Sequence, residues 1–137
     1  MARTAYRDHM TSPVITRWLE LVEAGEFDGV AAMLADDPVF YSPAVFTPQR
    51  GKDTVLAYLS AAGKVFAGED TGFRYVQQWH GERSAVLEFT ATIDGVHVNG
   101  VDIIHWGDDE KIAEFKVMLR PIKALQTVIP KMAELLQ

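Results

Sequence analysis

Apolar residues recur every three or four positions up to about Phe66 and then, from Phe73, alternate with polar ones. The first period predicts helices and the second strands, because helical neighbours on one face lie three or four apart and strand neighbours two apart. Ser12-Pro13 is a helix start, with a capping hydroxyl and a first-turn proline. Ile15, Trp18, Leu19 and Val22 mark one face of that helix, and Gly25 ends it. A shorter second helix is expected over Phe27, Val30, Met33 and Leu34, stopped by Asp36-Asp37-Pro38, with Val39–Ser42 left as a short strand. After a loop through Pro48, Gly51 opens a third helix carrying Val55, Tyr58, Leu59, Ala62 and Phe66.

Four strands are expected next, over Phe73–His80, Ser84–Ile93, Val96–Trp106 and Lys111–Leu119. Gly81-Glu82, Asp94-Gly95 and the acidic turn Gly107–Glu110 separate them, and Asp-Gly between alternating runs is a strong hairpin signal. Pro121–Gln137 is amphipathic through Ile122, Leu125, Ile129, Met132 and Leu136, with Pro130 expected to kink it. Helices first and an antiparallel meander afterwards predict an α+β fold with the helices on one sheet face.

Asp102 stands out in this pattern, an acid flanked by Val101, Ile103 and Ile104. Strand parity puts Gly100, Asp102 and Ile104 on one face, and His97, Asn99, Val101, Ile103 and His105 on the other. Two readings of Asp102 stand side by side. It is a partly buried acid hydrogen-bonded to the first helix, or a pocket carboxyl whose pKa is raised because desolvation penalises the charged form. His97 and His105 share neither a face with Asp102 nor a reachable ion with each other, so no metal site is expected, and His80 at a strand end is expected to be solvated.

The 137 residues suit a single domain over 12–137 behind a polar arm at 1–11. With no cysteine, disulfides, thiolate metal sites and cysteine nucleophiles are excluded. A net charge of −6 argues against a basic nucleic-acid surface, and no membrane span or secretion signal is visible, so a cytoplasmic protein is expected. Gly51-Lys52-Asp53-Thr54 lacks the upstream glycine and the Lys-Ser/Thr pair of a phosphate loop, and dinucleotide and Gly-x-Ser-x-Gly signatures are absent.

The order of elements, with LVEAGEFDGVAAMLADDPVF, a Gly51-initiated helix and GVDIIHW…EKIAEF…LRP, resembles the nuclear transport factor 2-like superfamily. That superfamily includes the SnoaL-like polyketide cyclases and the ketosteroid isomerases. The resemblance implies a cone-shaped, curved antiparallel sheet packed against N-terminal helices, with a C-terminal helix and a mostly apolar pocket. It also implies that Asp102 takes the place of an oxyanion-stabilising aspartic acid. The isomerase tyrosine of the first helix corresponds to Trp18, and the base aspartate before a proline to Ser42, so steroid isomerisation by that mechanism is not expected. The superfamily's epoxide hydrolases need an arginine and two aspartates on the strands, and Ser84–Ile93 offers no arginine.

Trp18, Phe40, Ser42, Tyr58, Leu87, Phe89, Phe115, Val117 and Leu119 are therefore the expected ligand-binding residues, with Asp102 as acid, base or hydrogen-bond donor. Core packing is the plainer reading for Trp18 and Tyr58, whose polar tips would still reach a ligand. The expected partner is a small apolar carbonyl or polyketide-like molecule, handled by isomerisation, cyclisation or dehydration without metal or nucleotide cofactor. The alternative is a non-catalytic binding module, which the missing base at Ser42 supports. A homodimer is expected through the outer sheet face, where Val101 and Ile103 supply apolar area.

Overall fold

Helix α1, Pro13–Ala24, starts where its cap requires: Ser12 Oγ accepts hydrogen bonds from the amides of Val14 and Ile15, and Pro13 sits where no amide is needed. Gly25 closes it at φ 71, a left-handed conformation that a residue without Cβ adopts freely. The computed structural model describes residues 11–68 and 70–137, so the expected arm lies, apart from Thr11, outside the described residues.

The second helix departs from expectation. Phe27–Met33 forms a tighter 3-10 segment, and Leu34 already opens strand β1, Leu34–Tyr41. Asp36-Asp37-Pro38 thus lies inside a strand it was expected to precede. Pairing is irregular between Leu34 and Val39, so both acids project into solvent and Pro38 withholds no amide from a regular ladder. A two-residue strand β2, Gln49–Arg50, pairs antiparallel with β1 where a loop was expected. Helix α2, Lys52–Phe66, follows Gly51.

Strands β3 (Arg74–His80), β4 (Ser84–Ile93), β5 (Val96–Trp106) and β6 (Ile112–Arg120) form the expected meander, and α3 (Ile122–Leu135) continues through Pro130. Asp94 and Gly95, at φ 52 and 79, make the hairpin turn that matches the twist of its strands. The six-stranded, curved and unclosed sheet runs β2-β1-β6-β5-β4-β3. Its meander is antiparallel, while β1 lies parallel to β6, so the sheet is mixed.

Alternation along β4 and β5 sets the inner face: Leu87, Phe89, Gly100, Asp102 and Ile104 are buried, and His97 and His105 are exposed on the other side. Two apolar clusters fill that face. One joins Trp18, Leu59, Leu87, Ile104 and Phe115, and the other joins Phe66, Phe89, Val98, Ala124 and Val128. Among the described residues no helix is long and apolar enough to cross a membrane.

Candidate functional site

Where the two clusters meet, packing leaves a cavity of about 50 Å³, walled by Trp18, Phe66, Phe89, Phe115 and Val117, with Asp102 and Tyr75 as its polar groups. Asp102 is the one buried charged residue among those described, 7% exposed. It stands opposite Leu87 on β4 and Val117 on β6.

Tyr75, on β3, stands opposite Phe89 and reaches across β4 to donate a hydrogen bond of 2.6 Å to Asp102 Oδ2. Trp18 Nε1 donates to the Tyr75 hydroxyl at 3.0 Å. Among the described residues helix α1 is hydrogen-bonded to the carboxyl only through Tyr75; the direct hydrogen bond from the first helix expected in the plainer reading is replaced by this chain of two.

Burial pushes the Asp102 carboxyl up to about 7, with the Tyr75 hydrogen bond acting in the opposite direction. Burial first, and then the Asp102 charge, hold the Tyr75 phenol well above its ordinary value, so near neutral pH it keeps its proton. A carboxyl that titrates near 7 can give or take a proton there at little cost, which suits general acid or base work.

A second cavity of about 340 Å³ opens beside the first, and Ala62, Phe66 and Val117 belong to the walls of both. Phe40, Ser42, Tyr58 and Leu119 line it, under Val128, Ile129 and Met132 of α3. Its polar lining side chains are Ser42 and Tyr58, and the Ser42 hydroxyl accepts from the Ala44 amide at 3.0 Å.

The residues expected at the site therefore fall into three places. Trp18, Phe89, Phe115 and Asp102 line the inner cavity, Phe40, Ser42, Tyr58 and Leu119 the outer, and Val117 both. Leu87 is fully buried against the helices and lines neither. Tyr75 escaped sequence reasoning; its only signal was its place opposite Phe89 on a strand without clean alternation. His80, expected to be solvated, is half-buried, with its Nδ1 enclosed and unpartnered and its pKa lowered by burial. Among the described residues no three His, Asp or Glu side chains cluster as a metal site requires.

This geometry has relatives. A crystal structure of a steroid delta-isomerase from Pseudomonas aeruginosa is 32% identical, with a TM-score of 0.83 over 88% of this chain and 87% of that one. An uncharacterized bacterial protein with a cystatin-like fold from Silicibacter pomeroyi is 30% identical, with a TM-score of 0.82 over 91% of this chain and 86% of that one. An NTF2-like protein of unknown function from Mesorhizobium loti, 16% identical at a TM-score of 0.70 over 84% and 94% of the two chains, shares the fold. No curated protein matches the chain. The family model of the SnoaL-like domain matches residues 15–115, from α1 through the Asp102 strand to Phe115. By that match the chain belongs to the SnoaL-like domain family, and it shares the fold of NTF2-like proteins.

Proposed function

We propose that the chain binds a neutral, apolar carbonyl or polyketide-like compound and moves a proton on it, in a reaction of isomerase, cyclase or dehydratase type. The observation that carries this is the Asp102 carboxyl, buried at an apolar cavity and held at 2.6 Å by a phenol that stays protonated. No charged side chain other than Asp102 lines either cavity, which favours an uncharged ligand. The likeness to a protein described as a steroid delta-isomerase supports the same class. Ser42 and Trp18 depart from the isomerase pattern, so Asp102 is itself the proton carrier here.

One observation favours a second reading, a binding module without turnover: no second carboxylate and no imidazole lines the cavities. A β,γ-unsaturated ketone separates the two. Following conjugation by absorbance and solvent deuterium uptake by NMR, the catalytic reading expects turnover with an ionisation near pH 7 that Asp102→Asn abolishes. Binding without deuterium uptake in the unaltered protein overturns catalysis in favour of the module, and absence of binding overturns both.

A homodimer through the outer sheet face belongs to the same proposal. Met118 is 52% exposed there, beside the half-buried Val101 and Ile103. Light scattering at micromolar concentration is expected to give twice the chain mass, and a monomer mass would remove the dimer.

A further inference from the structure

The hydrogen bonds around Asp102 have a direction that their chemistry dictates. An indole N–H donates and cannot accept, so the Tyr75 oxygen is the acceptor in its contact with Trp18. Among the described residues the Tyr75 proton then has one acceptor left, Asp102 Oδ2. The span is unusual, since β3 and β5 lie on either side of β4, about 10 Å apart at the ordinary strand spacing. A phenol is long enough to bridge that gap. Its ring is held edge-on by Phe73 at 5.1 Å and by Phe89 at 6.2 Å, which restricts rotation away from the carboxyl. Among the described residues Asp102 Oδ1 has no hydrogen-bond partner, yet His80 Nδ1 is their sole sealed, unpartnered side-chain atom. Oδ1 therefore opens onto the cavity that Asp102 lines.

We infer that Tyr75 is a positioning residue, set in one hydrogen-bonding sense by Trp18, that makes the two oxygens of Asp102 inequivalent: Oδ2 accepts from the phenol, and Oδ1 is the atom that exchanges a proton with a ligand. The inference rests on the proposed role of Asp102 but concerns a residue that the resemblance assigns no part. It excludes the opposite arrangement, in which Asp102 donates to Tyr75 and the phenol occupies the place of a ligand oxygen. In that arrangement the Tyr75 proton is left without an acceptor.

The test is a titration of the Asp102 side-chain carbon by NMR in the full chain, with ¹³C-labelled aspartate and Asp102→Asn for assignment. Tyr75→Phe removes a hydrogen bond to a charged acceptor, so the midpoint is expected to rise by about 1–2 pH units. Trp18→Phe leaves the phenol in place and is expected to raise it less. A ring-fluorinated tyrosine at position 75 is a stronger donor of nearly the same shape and is expected to lower it, which keeps the test open if Tyr75→Phe fails to fold. Unmoved midpoints in folded variants overturn the inference. So does tighter binding of the β,γ-unsaturated ketone by Tyr75→Phe, the mark of a phenol that blocks the site. The titration needs no substrate. Shifted midpoints without turnover leave Tyr75 its role and remove the proposed chemistry, whereas turnover with unmoved midpoints removes the role of Tyr75 alone.

Discussion

The two cavities share Ala62, Phe66 and Val117 yet differ in almost everything else. The inner one is about 50 Å³ and holds Asp102, Tyr75 and Trp18, while the outer one is about 340 Å³ and presents only Ser42 and Tyr58 as polar side chains. Volume and ionisable chemistry are kept apart. The reason is physical: a carboxyl in a roomy polar space gathers water and titrates as it would in solution, whereas one against tight apolar walls is desolvated and holds its proton longer. The outer cavity, free of charge, can then accommodate the bulk of an apolar ligand without disturbing that balance.

The largest expected effect separates the two walls. Phe115 is 2% exposed, with its ring 5.0 Å from Trp18 and 6.1 Å from Phe40. Phe115→Ala is expected to cost about 3–5 kcal/mol in denaturant unfolding, through lost transfer energy and the space left behind. Water admitted beside Asp102 should also bring its titration down toward the ordinary range. Leu119→Ala, from a half-buried position on the outer wall, is expected to cost less, about 1–2 kcal/mol, and to leave that titration unmoved. Equal losses in the two variants would erase the distinction between a tight and a loose wall.

Asp102→Asn tests the inner cavity's electrostatics. The folded carboxyl titrates at about 7 against an ordinary value of 3.8. Between those values the folded chain holds a proton that the unfolded chain has released, so stability falls as pH rises through this window. Its contribution is fully present below about 3.8 and lost above about 7, a change of about 4 kcal/mol at 1.36 kcal/mol per pH unit. Asp102→Asn abolishes that slope while nearly keeping shape. Unfolding free energies measured from pH 4 to 8 should decline in the parent; the variant should lose that decline and keep only the small rise with pH that the lowered His80 pKa contributes. A parent more stable at pH 8 than at pH 4 would mean an ionised, paired carboxylate, and the site would have to be rebuilt around it.

How much of this could be read from the chain follows the same division. β4 and β5 have the boundaries expected for them, because a clean two-residue period and an Asp-Gly turn leave little choice of register. The inward side of Asp102 follows from that parity. β1 was hidden, since Asp36-Asp37-Pro38 reads as a stop when its strand is judged alone. What permits the strand is the irregular pairing with β6, contributed by residues some 75 positions later. Tyr75 was hidden for a related reason. Arg74–His80 lacks alternation, and a bulge between Tyr75 and Gln77 resets which residues face inward. Its partners Trp18 and Asp102 come from far along the chain on either side. Local pattern can find strands; a hydrogen-bonded trio drawn from a helix and two strands exists only once they are assembled.

Gly100 offers a smaller and sharper test of the inner wall. A Cβ placed there would lie 2.6 Å from the Met118 carbonyl oxygen and 2.6 Å from the Phe89 ring, two positions before Asp102. The ring can tilt, but the carbonyl belongs to the β5–β6 ladder and cannot move alone. Gly100→Ala is therefore expected to cost about 1–3 kcal/mol as overpacking. If a thermal melt shows no loss, the sheet has slack at this point, and a tight wall around Asp102 would no longer account for its raised pKa.

The smallest effect on stability is expected at the outer cavity, from Ser42→Asp. Ser42 is half-buried and its hydroxyl only caps the Ala44 amide, a bond that an aspartate can also accept. Unfolding free energy should fall by about 1 kcal/mol or less, the cost of bringing a carboxyl to a half-buried and largely apolar wall. The chemical effect is expected to be larger. The outer cavity lacks a base, and this variant supplies one on its wall. If one ligand spans both cavities, its head at Asp102 and its body under α3, deuterium uptake by the β,γ-unsaturated ketone should rise by about 10²-fold, the lower end of what a positioned base contributes. Adding Asp102→Leu to the same chain should return the rate to background, because a base alone leaves the developing oxyanion without its donor. Should Ser42→Asp fold normally and leave uptake unchanged, no single ligand joins the two cavities, and the outer one would be a space with no part in the reaction.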